Sequence, residues 1–161
     1  MGLDITAYKS VEHVRDIDPN NDDWEDCDFK IRADDDFRER AADLTPGIYQ
    51  GSRDTLRFRA GSYSGYNRWR EELAELVGVT AKEIWAAAPD DEAARATPFY
   101  EMINFTDCDG VLGPAVCTKL AKDFDTWAEK AGDVGYFAEI YVHFRAAFRL
   151  AASGGGVVQF H

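Results

Sequence analysis

The chain has 161 residues, 45% of them hydrophobic and 13% aromatic, with a formal charge of −12. Such a chain suits a single domain over 1–161 and is too apolar to remain disordered. The charge disfavours direct binding to nucleic-acid polymers or anionic lipid, and no apolar run approaches the roughly 20 residues of a membrane-spanning helix, so no membrane partner is expected.

Residues 4–8 and 11–17 alternate partly between apolar and polar and read as two strands, paired as a hairpin. Residues 19–23 form a loop, 28–33 a short third strand, and 37–44 a helical turn stopped by Pro46-Gly47. Residues 48–50 and 56–59 read as further strands. Tyr66, Trp69, Leu73, Leu76 and Val77 then define one helix face, with Ser64 as N-cap and Gly78 as the stop. Thr80 and Glu83 make a capping box for a second helix, and Pro89 ends it. Residues 90–97 are a polar, Ala-rich linker or loose helix. Residues 99–105 are apolar and fit a strand or a buried loop equally. Pro114 opens a helix buried through Cys117, Leu120, Phe124, Trp127 and Ala131. The last helix buries Tyr136, Phe137, Ile140, Tyr141, Phe144, Phe148 and Ala151, and 157–160 returns as a short strand. Strands precede helices, which predicts an α+β fold: a small antiparallel sheet from the N-terminal half packed on three to four helices from the C-terminal half.

Nothing near Met1 looks like a secretory signal, so a cytoplasmic location is expected. Cys27, Cys108 and Cys117 form no Cys-x-x-Cys pair and stand far from His13, His143 and His161. Three reduced, mostly buried thiols are expected, with no structural metal and no cofactor. His143 falls on the apolar side of the last helix and reads as a core residue.

Charge is unevenly placed. Residues 16–36 carry ten acids against Lys30 and Arg32, a local charge of −8. Residues 53–70 carry five arginines against Asp54, a local charge of +4. In the basic window a strand runs into Gly61-Ser62-Tyr63-Ser64-Gly65 and then a helix start. Free N–H groups and the positive helix pole suit an anion there. Gly61, Ser62, Ser64 and Arg68 would contact phosphate, Arg59 would add charge, and Tyr63, Tyr66 or Trp69 would stack a base, with Asn67 beside them. The run is neither a Walker A loop nor a Gly-x-Gly-x-x-Gly fingerprint, and a turn, an N-cap and internal ion pairs account for the same residues.

Asp107-Cys108-Asp109-Gly110-Val111-Leu112 has the look of the first motif of haloacid-dehalogenase-type phosphatases, in which paired aspartates work with magnesium. The parallel strands that fold needs after the motif do not follow it. The segment therefore reads as a turn before Pro114, or as a second wall of the pocket, with Asn104, Asp107 and Asp109 on ribose hydroxyls or on arginines.

Residues 1–8, 58–70, 99–113 and the ending Phe160-His161 together resemble a family of small uncharacterised proteins of phages and prophages, over most of the chain. The resemblance implies no established activity. It implies a phage setting, in which small proteins sequester nucleotide immune signals. The reading is a binding protein, leaning away from catalysis, for an anionic, phosphate-bearing, nucleotide-like small molecule, with homo-oligomerisation left open. Its rivals are a metal-dependent phosphohydrolase using Asp107 and Asp109, and an acidic decoy presenting residues 16–36 to a basic protein.

Overall fold

The computed structural model describes residues 2–18, 27–106 and 109–161. The loop expected over 19–23 lies outside them, as do Asp107 and Cys108. The fold is α+β, with two antiparallel sheets and helices drawn mainly from the second half.

The first sheet holds β1 (Leu3–Tyr8), β5 (Thr55–Gly61), β6 (Gly110–Leu112) and β7 (Val157–Phe160), in the order β5-β1-β7-β6. The second holds β2 (Val11–Arg15), β3 (Phe29–Ile31) and β4 (Gly47–Gly51), in the order β2-β4-β3. The expected hairpin of the first two strands is therefore absent. Strand β1 spends both edges, on β5 with Ile5 opposite Phe58 and on β7 with Ile5 opposite Phe160, so β2 pairs with β4 instead.

Period-2 alternation explains the layering. Leu3, Ile5 and Ala7 point to the main core, whereas Tyr8 on the opposite face joins Phe29, Ile31, Ala41, Tyr49 and Val157 in a smaller core under the second sheet. A 3-10 turn, Arg38–Ala41, sits where the helical turn over 37–44 was expected.

Helices cover the other face of the first sheet. Helix α1 (Tyr63–Leu76) is followed by α2 (Ala81–Ala86), α3 (Glu92–Arg95) and α4 (Tyr100–Ile103). The segment left open between strand and loop is thus a helical turn. Phe99 precedes it with φ 62°, its ring fully buried on Phe124 and Tyr141 and its N–H donating to Asp123. Packing of this kind holds a non-glycine residue in the left-handed region. Helices α5 (Pro114–Thr126), α6 (Ala128–Ala131) and α7 (Tyr136–Gly154) complete the layer.

The capping box at Thr80 and Glu83 forms as expected. The cap of α1 does not fall on Ser64. Gly61 turns the chain at φ 103°, and Ser62 Oγ accepts from Gly65 N at 3.1 Å, two residues earlier. In α7 the expected residues Ile140, Tyr141, Phe144, Phe148 and Ala151 are buried, while Tyr136 is exposed. His143 is also exposed, with its ring stacked on Phe58 at 5.2 Å. Cys117 is buried and Cys27 half-buried, both as free thiols. Among the described residues, no helix is long and apolar enough to cross a membrane.

Candidate functional site

The residues singled out in the sequence fall in three places. The first is the corner between β5 and α1. Arg59 makes a two-pronged ion pair with Asp4, Nε and Nη2 each at 2.9 Å from a carboxylate oxygen. Ser62 and Ser64 share a hydroxyl contact at 3.2 Å, and Tyr63 is exposed beside them. Arg68 points to solvent and, among the described residues, pairs with Glu72 at 3.5 Å. Gly61 packs against the Tyr136 hydroxyl, which donates to Ala60 O at 3.0 Å. The corner thus gathers charge and hydroxyls, with its arginines engaged by Asp4 and Glu72.

The second place is the interior. Trp69 is 1% exposed and donates through Nε1 to Phe137 O at 3.2 Å. Tyr66 is buried beside it, and burial pushes its phenol well above the ordinary range. Neither ring is open to a ligand, which leaves Tyr63 as the accessible ring of the three. Asn67 lies outside this interior, exposed, and accepts a hydrogen bond from Arg70. Asn104, half-buried, donates to the Tyr100 hydroxyl at 3.4 Å.

The third place holds Asp109. It lies just before β6, at the opposite edge of the first sheet from β5. Three strand spacings, roughly 14 Å, separate those edges. The structure thus sets Asp109 apart from Arg59. Asp107, its partner in the phosphatase-like motif, is outside the described residues. Among the described residues no cluster of three or more His, Cys, Asp or Glu side chains could hold a metal.

Asp109 does line a cleft of about 470 Å³ between the two sheets. One side is the edge strand β3 with Phe29, Lys30, Ile31 and Arg32. The floor is the 34–38 turn and Ala41, and the other side is β6 with Gln159. This volume is within the usual range for small-ligand sites. Gln159 Nε2 donates to Asp28 O at 3.3 Å, which ties β7 to the approach to β3.

The backbone of β6 adds a further feature. Asp4 and His161 exchange N–H···O bonds of 2.9 and 3.0 Å, so odd-numbered residues of β7 face β1 and Val158 and Phe160 face β6. Their partners Leu112 and Gly110 face back, which turns the N–H and C=O of Val111 outward, to the cleft side. No described residue pairs with this edge of β6, so a donor and an acceptor stand side by side there.

Charge in the cleft is mixed. Arg38 braces the backbone, donating to Ala41 O and Leu44 O at 2.5 Å each. Asp35 caps the turn by accepting from Arg32 N at 2.7 Å. Lys30, Arg32 and Asp109 each engage a partner group. Three cations against Asp34, Asp35, Asp36 and Asp109 leave the lining near neutral in a molecule of charge −12.

Of the cleft residues, the sequence marks Asp109 as a ligand contact and Asp34, Asp35 and Asp36 as part of the acidic window. The signal for the rest was present: Lys30 and Arg32 are the two cations inside the acidic window 16–36, both in the segment read as a strand.

The Asp4–Arg59 pair makes a pH prediction. The hydrogen bonds from Arg59 hold the Asp4 carboxyl below its ordinary 3.8, against a smaller opposing effect of desolvation. A folded-state pKa below the unfolded one stabilises above the ordinary value and loses that contribution as pH falls through the folded value. Urea titrations from neutral to acid pH are expected to show a smaller acid loss in Asp4→Asn than in the parent. Identical acid slopes would contradict the pairing.

No protein-family model, curated protein or solved structure matches the chain to a significant degree.

Proposed function

We propose that the chain is a binding protein for a nucleotide-like small molecule, held in the cleft between β3 and β6. The observation that carries this reading is the convergence, in one ligand-sized cleft, of a strand-edge donor–acceptor pair at Val111, the half-buried Phe37, and the cations Lys30, Arg32 and Arg38. An adjacent donor and acceptor match the hydrogen-bonding edge of a heterocyclic base. The cations serve an anionic group, and Asp109 is placed for sugar hydroxyls. In a phage-encoded chain, such a site would sequester a nucleotide signal.

Calorimetric titration with nucleosides, nucleoside monophosphates and cyclic dinucleotides tests this. At least one phosphate-bearing ligand is expected to bind. Lys30→Met is expected to weaken it by about tenfold, the scale of one charge-assisted contact. Val111→Pro removes an outward N–H at an edge, where proline is tolerated in a sheet, and is expected to weaken the neutral nucleoside as well. Absence of binding by every compound, or affinities unmoved by both substitutions, would overturn the reading.

A further inference from the structure

We infer that the outer edge of β5 is a docking site for an extended acidic peptide, added as a fifth strand to the first sheet. At seven residues, β5 is the longest edge strand among the described residues. Its backbone orientation follows from the ladder. Asp4 spends its N–H and C=O on His161, so Leu3, Ile5 and Ala7 face β5. Their partners Gly61, Phe58 and Leu56 face inward, and the backbone groups of Thr55, Arg57 and Arg59 therefore face outward. No described residue pairs with that edge. The Tyr136 hydroxyl, seated on Ala60 O, marks where the open stretch ends.

The two faces at this edge differ in chemistry, and the difference selects the occupant. Arg57 and Arg59 project from one face and are exposed. Leu56 and Phe58 project from the other and are half-buried. Phe58 carries the His143 ring, and His143 shares a shallow depression with Tyr136 and Val142, which are 51% and 55% exposed, and with Asp133 and Glu139, whose charges keep the peptide's own acids on the arginine face. An added strand has the same period of two. Acids at alternate positions would meet the arginines, and apolar residues between them would meet Phe58 and the depression. A second copy of this chain is disfavoured, because antiparallel pairing of two β5 edges would bring their arginine rows together. Arg59 stays exposed in its pair with Asp4, and a guanidinium carries five N–H donors, so a peptide carboxylate can share it.

The test uses the whole chain and a labelled peptide alternating glutamate with valine, followed by fluorescence anisotropy at low salt. Two control peptides alternate lysine with valine, or carry the same glutamates in one block. The alternating acidic peptide is expected to bind and to weaken as salt rises. Arg57→Glu is expected to weaken it by about tenfold or more. Thr55→Pro, at the first strand position with its N–H outward, is expected to do the same without changing charge. Binding of all three peptides alike would overturn the inference, as would full binding by both variants. Absence of binding would also overturn it and leave the arginines as guards of a bare edge. A dimer in sedimentation that Thr55→Pro dissolves would assign the edge to a second copy and equally reject the peptide.

Discussion

Trp69→Ala is expected to lower the unfolding free energy by about 3–5 kcal/mol, the range for removing a large buried aromatic. The Trp69 ring lies among Tyr66, Phe137 and Phe144, with centroids 6.2, 5.7 and 4.9 Å away. Its Nε1–H donates to the Phe137 carbonyl, so truncation leaves a void and removes that hydrogen bond. Trp69→Phe, which keeps most of the volume, is expected to lose clearly less. Guanidinium titration of both variants measures the difference. The same pair of variants separates two roles for Trp69. A ring that stacks on a ligand would change affinity in protein that is still folded. A core ring changes the midpoint and leaves the affinity of the folded fraction unaltered. A loss below about 1 kcal/mol in the alanine variant would contradict the packing described above.

Much of the fold was legible because its elements rest on local signals. The capping box at Thr80, the Pro114 start and the 3.6-residue face of α7 all depend on neighbours in sequence, and they appear where expected apart from Tyr136 and His143, which are exposed. The hairpin of β1 and β2 failed for a non-local reason. The spacing of 4–8 and 11–17 says nothing about which edge of β1 is already occupied, and here β5 and β7 take both. The N-cap moved from Ser64 to Ser62 because Gly61 ends β5 one step before the helix. The proposed pocket shows the same limit. Arg59 and Asp109 look ready to converge when distance along the chain is ignored, yet the strand order β5-β1-β7-β6 puts them on opposite edges. The cleft around Asp109 is assembled from β3, the 34–38 turn and β6, three segments with no sequence pattern in common. Only the fold brings them together.

Arg70 gives the sharpest test of how the basic window should be counted. It is one of the five arginines in 53–70, but it is 3% exposed. Its guanidinium lies between the Tyr66 and Trp85 rings, 5.4 Å from each centroid, and donates to Ile103 O at 2.7 Å. Among the described residues its Nε has no partner, and its terminal nitrogens donate to the neutral oxygens of Ile103 and Asn67 rather than to a carboxylate. Burial accordingly lowers its pKa from the usual arginine value. A charge placed this way is held by aromatic faces and two neutral oxygens, Ile103 O and Asn67 Oδ1, at a desolvation cost that a hydrophobic side chain would not incur. Arg70→Met is therefore expected to leave stability unchanged or raise it by about 1 kcal/mol, because the thioether fills the space and no counter-ion is stranded. Ile103 O keeps a donor in that variant, since Trp85 Nε1 also reaches it, at 3.0 Å. Arg70→Ala is expected to cost about 2–4 kcal/mol, because it opens a void between the two rings. Thermal and urea unfolding of the pair measure the contrast. If methionine were as costly as alanine, the charge itself would be required, and Arg70 would have to be counted with the arginines that serve a ligand. If methionine is neutral, Arg70 is core, and the cations open to a partner in that window are Arg53, Arg57, Arg59 and Arg68.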